Sequence, residues 1–126
     1  MNKPWVVRVH KDSASIYGLT RLYLCDTWLT RLQGVFFRKE FNENSGVLLR
    51  RCSSVHGFGL SNALDVVFLG ADDIVLSVQT LEPNSVCSHH SAESVLEVLS
   101  GTANKLGIYV GDKLDFGALI WLSKLK

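Results

Sequence analysis

Residues 64–81, with the sequence LDVVFLGADDIVLSVQTL, decide the fold class of this chain. Two apolar stretches of strand length, at 64–69 and 74–81, flank the segment GADD at 70–73, whose small and acidic residues are typical of a turn. This pattern predicts a β-hairpin. The first stretch is almost continuously apolar, which indicates a strand in the middle of a sheet that is covered on both faces.

The second strand of this hairpin alternates between apolar and polar residues, which predicts that Ile74, Leu76 and Val78 share its buried face. Residues 84–91 (NSVCSHHS) follow and are predicted to form a loop. Elsewhere, β-branched and apolar residues predict further strands at Trp5–Val9, Leu19–Cys25, Gly46–Arg50, Ser94–Leu99 and Lys113–Phe116.

Helical periodicity is confined to three places. One main helix is predicted at about residues 27–37, where Trp28, Leu32, Val35 and Phe36 form one apolar face. Short helices are predicted near 102–106, between two glycines, and at 117–125. Together the elements predict one α+β domain over residues 1–126, rich in β-strands, with a mixed or antiparallel sheet.

Composition excludes several classes of protein. The 126 residues carry 13 basic and 12 acidic side chains, for a net charge of +1, without the basic excess typical of nucleic-acid binding. No apolar run has the length of a membrane span or of a signal peptide. The three cysteines form no C-x-x-C pair. The sequence therefore predicts a soluble cytoplasmic protein with reduced thiols and with neither nucleic-acid nor membrane partners.

Three segments in order resemble the domain-of-unknown-function 192 family: DTWLTRLQGVFFR at 26–38, GVLLRRCSSVHGFGLSNALDVVFLGADDIVLSV at 46–78 and VLEVLSGTANKLGIYVGDKL at 95–114. The resemblance covers about residues 22–116. It implies a compact β-rich fold with a helix against a curved, barrel-like sheet, and it implies no established activity. Gly57 stands where the family usually has Thr, a change that is expected to widen a pocket beside His56.

The segment CSSVHGFGL, residues 52–60, contains a thiol and an imidazole four positions apart. Cys52 and His56 could form the nucleophile and base of a hydrolase or transferase. In an extended segment, however, residues four apart are separated by about 13 Å, so the pair would need a tight bend. The alternative is a buried cysteine and a hydrogen-bonded turn histidine.

Two carboxylates interrupt apolar strands, Asp65 in LDVVFL and Glu97 in SVLEVL. A buried carboxylate must be paired or protonated. Arg31, next to the apolar face of the main helix, is the expected partner of one of them. These groups could form a polar pocket with His56. The alternatives are a structural ion pair between helix and sheet, or carboxylates that point outward from a half-exposed strand.

Cys87, His89 and His90 suggest a zinc site, because thiolates and imidazoles are zinc ligands. Adjacent histidines on an extended loop are expected to point apart, and no fourth ligand is near in sequence. A polar loop without a metal is therefore favoured. The glycines at 101, 107 and 111 match no nucleotide-binding motif, and no cofactor is predicted.

The first functional hypothesis is a non-enzymatic binding or accessory domain for a small polar ligand or a peptide. Its candidate ligand-binding residues are His56, Asp65, Arg31, Cys52 and Glu97. The second is the enzyme that uses Cys52 and His56. The third is a structural interaction protein that forms a homodimer through the apolar stripe of residues 117–125, a segment that could equally close the core of a monomer.

Overall fold

The computed structural model describes the backbone of residues 8–11, 14–17 and 21–25 and the whole of residues 42–116. The described strands are β1 (Arg8–Lys11), β2 (Ala14–Tyr17), β3 (Arg21–Cys25), β4 (Ser45–Arg50), β5 (Ser54–His56), β6 (Leu64–Leu69), β7 (Val75–Leu81), β8 (Val86–Ser88), β9 (Ser94–Leu99) and β10 (Lys113–Asp115). The described helices are the α-helix α1 (Thr102–Leu106) and a 3₁₀ turn (Ala71–Asp73).

The described strands form three sheets. The largest has the order β3-β4-β9-β6-β7, in which β3 and β4 are parallel and all other neighbours are antiparallel. The smaller sheets are β10-β1-β2 and β5-β8. The predicted β-rich α+β class is confirmed, and the large sheet is mixed. Among the described strands this sheet stays open, with β3 and β7 at its edges, and does not show the barrel-like closure that the resemblance implied.

The predicted hairpin is present as β6 and β7. Strand β6 is buried along its whole length between β7 and β9, as its continuous apolar sequence indicated. In β7 the predicted buried face is wrong, because Val75 and Leu81 are the buried residues while Val78 is exposed. Strand β7 is an edge strand of the described sheet, and only its two end residues are buried, Val75 on one face of the sheet and Leu81 on the other.

Alternation along the strands divides the buried side chains between the two faces of the large sheet. The helix-side core consists of Leu48, Val67, Leu69, Val75, Leu96, Val98, Ala103, Ile108, Leu114 and Phe116. The strand-side core, covered in part by β5 and β8, consists of Val47, Leu49, Val55, Leu64, Val66, Phe68, Leu81, Cys87 and Val95. Successive residues along β6, and likewise along β9, therefore point alternately to the helix-side and the strand-side face of the sheet.

A polar network holds the hairpin turn against the end of β4. Arg50 donates from Nη1 to Asp73 Oδ1 at 2.6 Å and from Nη2 to Asp73 Oδ2 at 3.2 Å. Its Nη1 also donates to Ser94 Oγ at 3.0 Å, and its guanidinium lies 5.3 Å from the centre of the Phe116 ring. Both Asp72 and Asp73 have left-handed backbones, with φ of 59° and 58°.

We expect Asp73→Asn to lower the free energy of unfolding by about 1–2 kcal/mol, because it removes a two-pronged, partly buried charged contact. Asn tolerates the left-handed backbone, so the substitution tests the contact and not the turn. Asp72→Asn is the matched control, since Asp72 has the same backbone conformation and is exposed. Urea denaturation measures the free energy of unfolding of both variants. Equal effects of the two substitutions would show that the Arg50 contact contributes nothing.

The predicted helices and the loop predicted at 84–91 are confirmed only in part. The short helix near 102–106 is confirmed as α1. The loop predicted at 84–91 is wrong in part, because Val86–Ser88 forms β8 and pairs with β5. The main helix at 27–37 and the helix at 117–125 lie outside the described residues. Within the described part, no helix has the length and hydrophobicity needed to cross a membrane.

Candidate functional site

The segment CSSVHGFGL forms a short strand that is followed by a turn. In this strand, β5, His56 is paired with Val86 and Val55 with Cys87 of the antiparallel strand β8. Beyond it, the Gly57 amide donates to the Ser85 carbonyl at 2.8 Å, and the Gly57 carbonyl accepts from the Asn84 amide at 2.9 Å. These bonds fix β5 and β8 to each other at one end.

Gly57 permits a close contact between two backbone segments. A Cβ atom at this position would lie 2.4 Å from the carbonyl oxygen of Glu82, which is closer than atoms can approach without a shift of the backbone. The sequence predicted that Gly57 widens a pocket beside His56. The structure assigns this glycine to the close packing of two segments instead.

A pocket of about 460 Å³ opens beside β5. Its apolar wall includes Leu49, Val55, Phe58 and Val86, and its polar groups include two arginines and His56. The lining residues within the described part of the chain are Leu49, Arg50, Arg51, Cys52, Ser53, Ser54, Val55, His56, Phe58 and Val86. None of these lining residues carries a carboxylate.

Cys52 lines this pocket but is not an activated thiol. Its Sγ donates to the Ser54 carbonyl at 3.2 Å, and within the described part of the chain it makes no hydrogen bond to His56. Burial raises the pKa of the Cys52 thiol above its ordinary value, and the charge of Glu97 raises it further. A thiol with a raised pKa is protonated near neutral pH and is a poor nucleophile.

His56 is partly exposed at the pocket wall. Its Nδ1 accepts a hydrogen bond from the Phe58 amide at 3.2 Å, which places the proton of the neutral ring on Nε2. The two rings of His56 and Phe58 are tilted by 32° with their centres 4.8 Å apart. The imidazole is thus positioned by its own turn, and Cys52 takes no part in this.

Glu97 is the most unusual residue on this face of the sheet. It has no exposed surface, and both of its carboxyl oxygens lack a hydrogen-bond partner among the described residues. Burial raises the pKa of Glu97 to about 8. It alternates along β9 with Leu96 and Val98 of the helix-side core, so its side chain lies on the strand-side face. At neutral pH Glu97 is therefore mainly uncharged.

Asp65 lies on the opposite face of the large sheet, because it shares a face of β6 with Val67 and Leu69 of the helix-side core. Its Oδ2 accepts hydrogen bonds from the Gly101 amide at 2.9 Å and the Ala103 amide at 3.0 Å. These are the first amides of α1, whose own N-cap is a glycine without a side chain to accept them. Asp65 therefore caps this helix from the sheet.

The candidate residues thus fall into two groups. Cys52 and His56 line one pocket, and Asp65 lines another, of about 330 Å³, beside α1. The predicted single cleft of His56 and Asp65 is therefore divided between the two faces of the sheet in the described part of the chain. Arg31 lies outside the described residues, and the ligand-binding roles of all five candidates stay predictions.

The suggested zinc ligands do not converge. Cys87 is buried and donates from Sγ to the Thr80 carbonyl at 3.4 Å. The rings of His89 and His90 were expected to point apart, but they stack in parallel with centres 5.3 Å apart. Across residues 42–116, no cluster of three His, Cys, Asp or Glu side chains is arranged to hold a metal ion.

Comparisons with known proteins agree with this fold. The profile of the DUF192 family, described as "Uncharacterized ACR", matches residues 8–116. A UPF0127 protein of Pyrococcus furiosus is 30% identical over 99 residues, which are 75% of this chain and 85% of that protein. A UPF0127 protein of Pyrococcus abyssi is 27% identical over 109 residues, which are 83% of this chain and 93% of the relative.

Two crystal structures share the architecture. A protein of unknown function from Novosphingobium aromaticivorans superimposes with a TM-score of 0.69 and 24% identity, covering 87% of this chain and 83% of its own. A protein of Sinorhizobium meliloti, described with a proposed role as a transcription regulator, superimposes with a TM-score of 0.72 and 22% identity. The match covers 88% of this chain and 92% of that protein. At these identities the likeness concerns the fold alone.

Proposed function

Starting from the premise that the chain belongs to the DUF192 family, we propose that it is a small non-enzymatic domain that binds a small organic ligand in the pocket beside β5. The family is one of unknown function, so the proposal depends on the pocket itself. The observation that carries it is a concave surface that combines an apolar wall with several polar side chains.

The size and chemistry of this pocket support binding. Pockets for small molecules usually have volumes of about 300–1,000 Å³ and a mainly apolar lining with few polar groups, and the 460 Å³ beside β5 falls within this range. The wall also belongs to a fixed framework, because Leu49 and Val55 are buried in the strand-side core. A preformed pocket loses little conformational entropy when a ligand binds.

The arrangement of Cys52 and His56 favours binding over catalysis. A nucleophile needs a base within hydrogen-bond reach or a lowered pKa. Cys52 instead donates to a backbone carbonyl, and its pKa is raised. The two free thiols of the described part, Cys52 and Cys87, also support a reducing compartment, and we propose the cytoplasm.

A titration with octanamide, a neutral molecule with an eight-carbon chain, tests this function. Followed by ¹⁵N NMR, it is expected to shift the amides of residues 52–58 and of Val86, because these line the pocket. Ser53→Trp should abolish the shifts by filling the pocket, and Ser61→Trp, at an exposed position outside it, should not. Shifts spread over the whole chain, or unaffected by Ser53→Trp, would refute the proposed site.

The self-association predicted from residues 117–125 is a second candidate role. These residues lie outside the described part, so the homodimer stays a prediction. The amphipathic pattern of this segment is the feature that favours it. Sedimentation of the full chain and of a chain truncated after Phe116 distinguishes a dimer from a monomer whose tail closes the core.

A further inference from the structure

We propose that the ligand of this pocket is a small amphipathic anion, such as a medium-chain carboxylate, whose charged group is bound by Arg51 and whose apolar body lies against Val55, Phe58 and Val86. This inference rests on the proposed function and names its ligand class. It follows from the unequal situations of the two neighbouring arginines, from the charges around the pocket and from the composition of the wall.

The first observation is the difference between Arg50 and Arg51, which both line the pocket. The guanidinium of Arg50 is already engaged by Asp73 and by Ser94. Arg51 is exposed and makes no hydrogen bond or ion pair within the described part of the chain. Its planar group of donors is thus available for a carboxylate, to which arginine can donate two parallel hydrogen bonds.

The second observation is the backbone of Arg51, which has a φ of 55°. This left-handed conformation is uncommon for residues with a Cβ, and it costs an arginine free energy relative to an ordinary backbone. No hydrogen bond or ion pair of the Arg51 side chain among the described residues offsets this cost. Strain of this kind occurs often at ligand-binding positions, where the binding of a ligand offsets it.

The third observation is the electrostatic environment. The described lining residues include two arginines and one histidine, and none of them carries a carboxylate. The nearest acidic group of the strand-side core, Glu97, is mainly protonated at pH 7 because burial raises its pKa to about 8. Asp73 neutralises Arg50, whereas Arg51 has no ion-pair partner among the described residues. The pocket therefore presents the charge of Arg51, which favours an anionic ligand over a neutral or cationic one.

The composition of the wall requires that the rest of the ligand be apolar. Phe58 and Val86 are 51% and 60% exposed, although both are large hydrophobic side chains beside the pocket. Burial of this surface by a hydrocarbon chain contributes about 25 cal/mol per Å². An inorganic anion would leave the apolar wall in contact with water, so inorganic phosphate or sulfate alone fits the pocket poorly.

The experiment compares octanoate with octanamide, which share the same chain length and differ in charge. Binding at pH 7 is measured by NMR titration of the natural chain, of Arg51→Asn and of Lys105→Gln. Asn is tolerated in the left-handed backbone, so Arg51→Asn removes the charge without new strain. Lys105, whose exposed ammonium pairs with Glu43, lies outside the pocket and controls for the loss of one positive charge.

We expect octanoate to bind the natural chain about tenfold more tightly than octanamide, a ratio typical of one charge-assisted contact. Arg51→Asn should bring the ratio close to one, while Lys105→Gln should keep the ratio. Equal binding of both probes to the natural chain would overturn the inference and leave the proposed function intact. A preference that survives Arg51→Asn, or that Lys105→Gln removes, would also overturn it. Absence of binding by both probes would refute the proposed function itself.

Discussion

Between pH 4 and pH 9, the natural chain is expected to lose up to about 5 kcal/mol of stability relative to the variant Glu97→Gln. The reason is the buried carboxyl of Glu97, whose pKa is raised from 4.5 to about 8 by burial. In the unfolded chain this group ionises near pH 4.5, whereas in the folded chain it keeps its proton to about pH 8. Gln has the same shape and does not titrate.

The direction in which the free energy of unfolding changes with pH follows from proton binding. Between the two pKa values the folded chain binds more protons than the unfolded chain, so a rising pH favours unfolding by about 1.4 kcal/mol per pH unit. Below the pKa of the unfolded chain and above that of the folded chain, the difference in stability between the natural chain and Glu97→Gln becomes constant. Urea denaturation of both chains from pH 4 to pH 9 measures it, and the other titrating groups cancel because both chains share them.

The same experiment tests the ion pair predicted from the sequence, in which Arg31 contacts Asp65 or Glu97. Arg31 lies outside the described residues, so this pair stays a prediction. If Arg31 pairs with Glu97, the carboxylate is stabilised at neutral pH, and Glu97→Gln would then destabilise the chain more at pH 7 than at pH 4. That outcome would contradict an uncharged Glu97 and support the pair.

Asp65→Ala is expected to lower the free energy of unfolding by about 2–4 kcal/mol. Its Oδ2 is the acceptor for the Gly101 and Ala103 amides, and both donors would lose a partner in a largely buried place. An unsatisfied buried donor costs about 1–3 kcal/mol. The loss should appear in chemical denaturation and as faster hydrogen exchange at these two amides.

Asp65→Asn serves as the control, since its amide oxygen can still accept both hydrogen bonds without the charge. It should lose about half as much stability as Asp65→Ala. If both variants match the natural chain, the helix does not depend on this cap, and Asp65 would have to be explained by the second pocket, which it also lines.

Much of the sheet could be predicted because the signal is local. The hairpin at residues 64–81 is specified by two apolar stretches and a turn, and the burial of β6 follows from its continuous apolar sequence. The burial along β7 has no such local signature, because its two buried residues, Val75 and Leu81, lie on opposite faces of the sheet. At an edge strand the covered positions depend on the neighbouring elements, so alternation alone does not predict them.

The candidate site could be predicted only in part. The segment CSSVHGFGL drew attention to Cys52 and His56, which do line the pocket. The position of Val86 depends on the pairing of β5 with β8, two strands of three residues each that are far apart in sequence. The separation of Asp65 from Glu97 was also hidden, because the face to which each points depends on the register between β6 and β9.

The most direct test of the pocket as a binding site is a crystal structure of the full chain soaked with octanoate. The account predicts electron density for the hydrocarbon chain against Val55, Phe58 and Val86, with the carboxylate within hydrogen-bond distance of the Arg51 guanidinium. Density for octanoate elsewhere on the molecule, with the space beside β5 filled by protein side chains, would contradict the central claim.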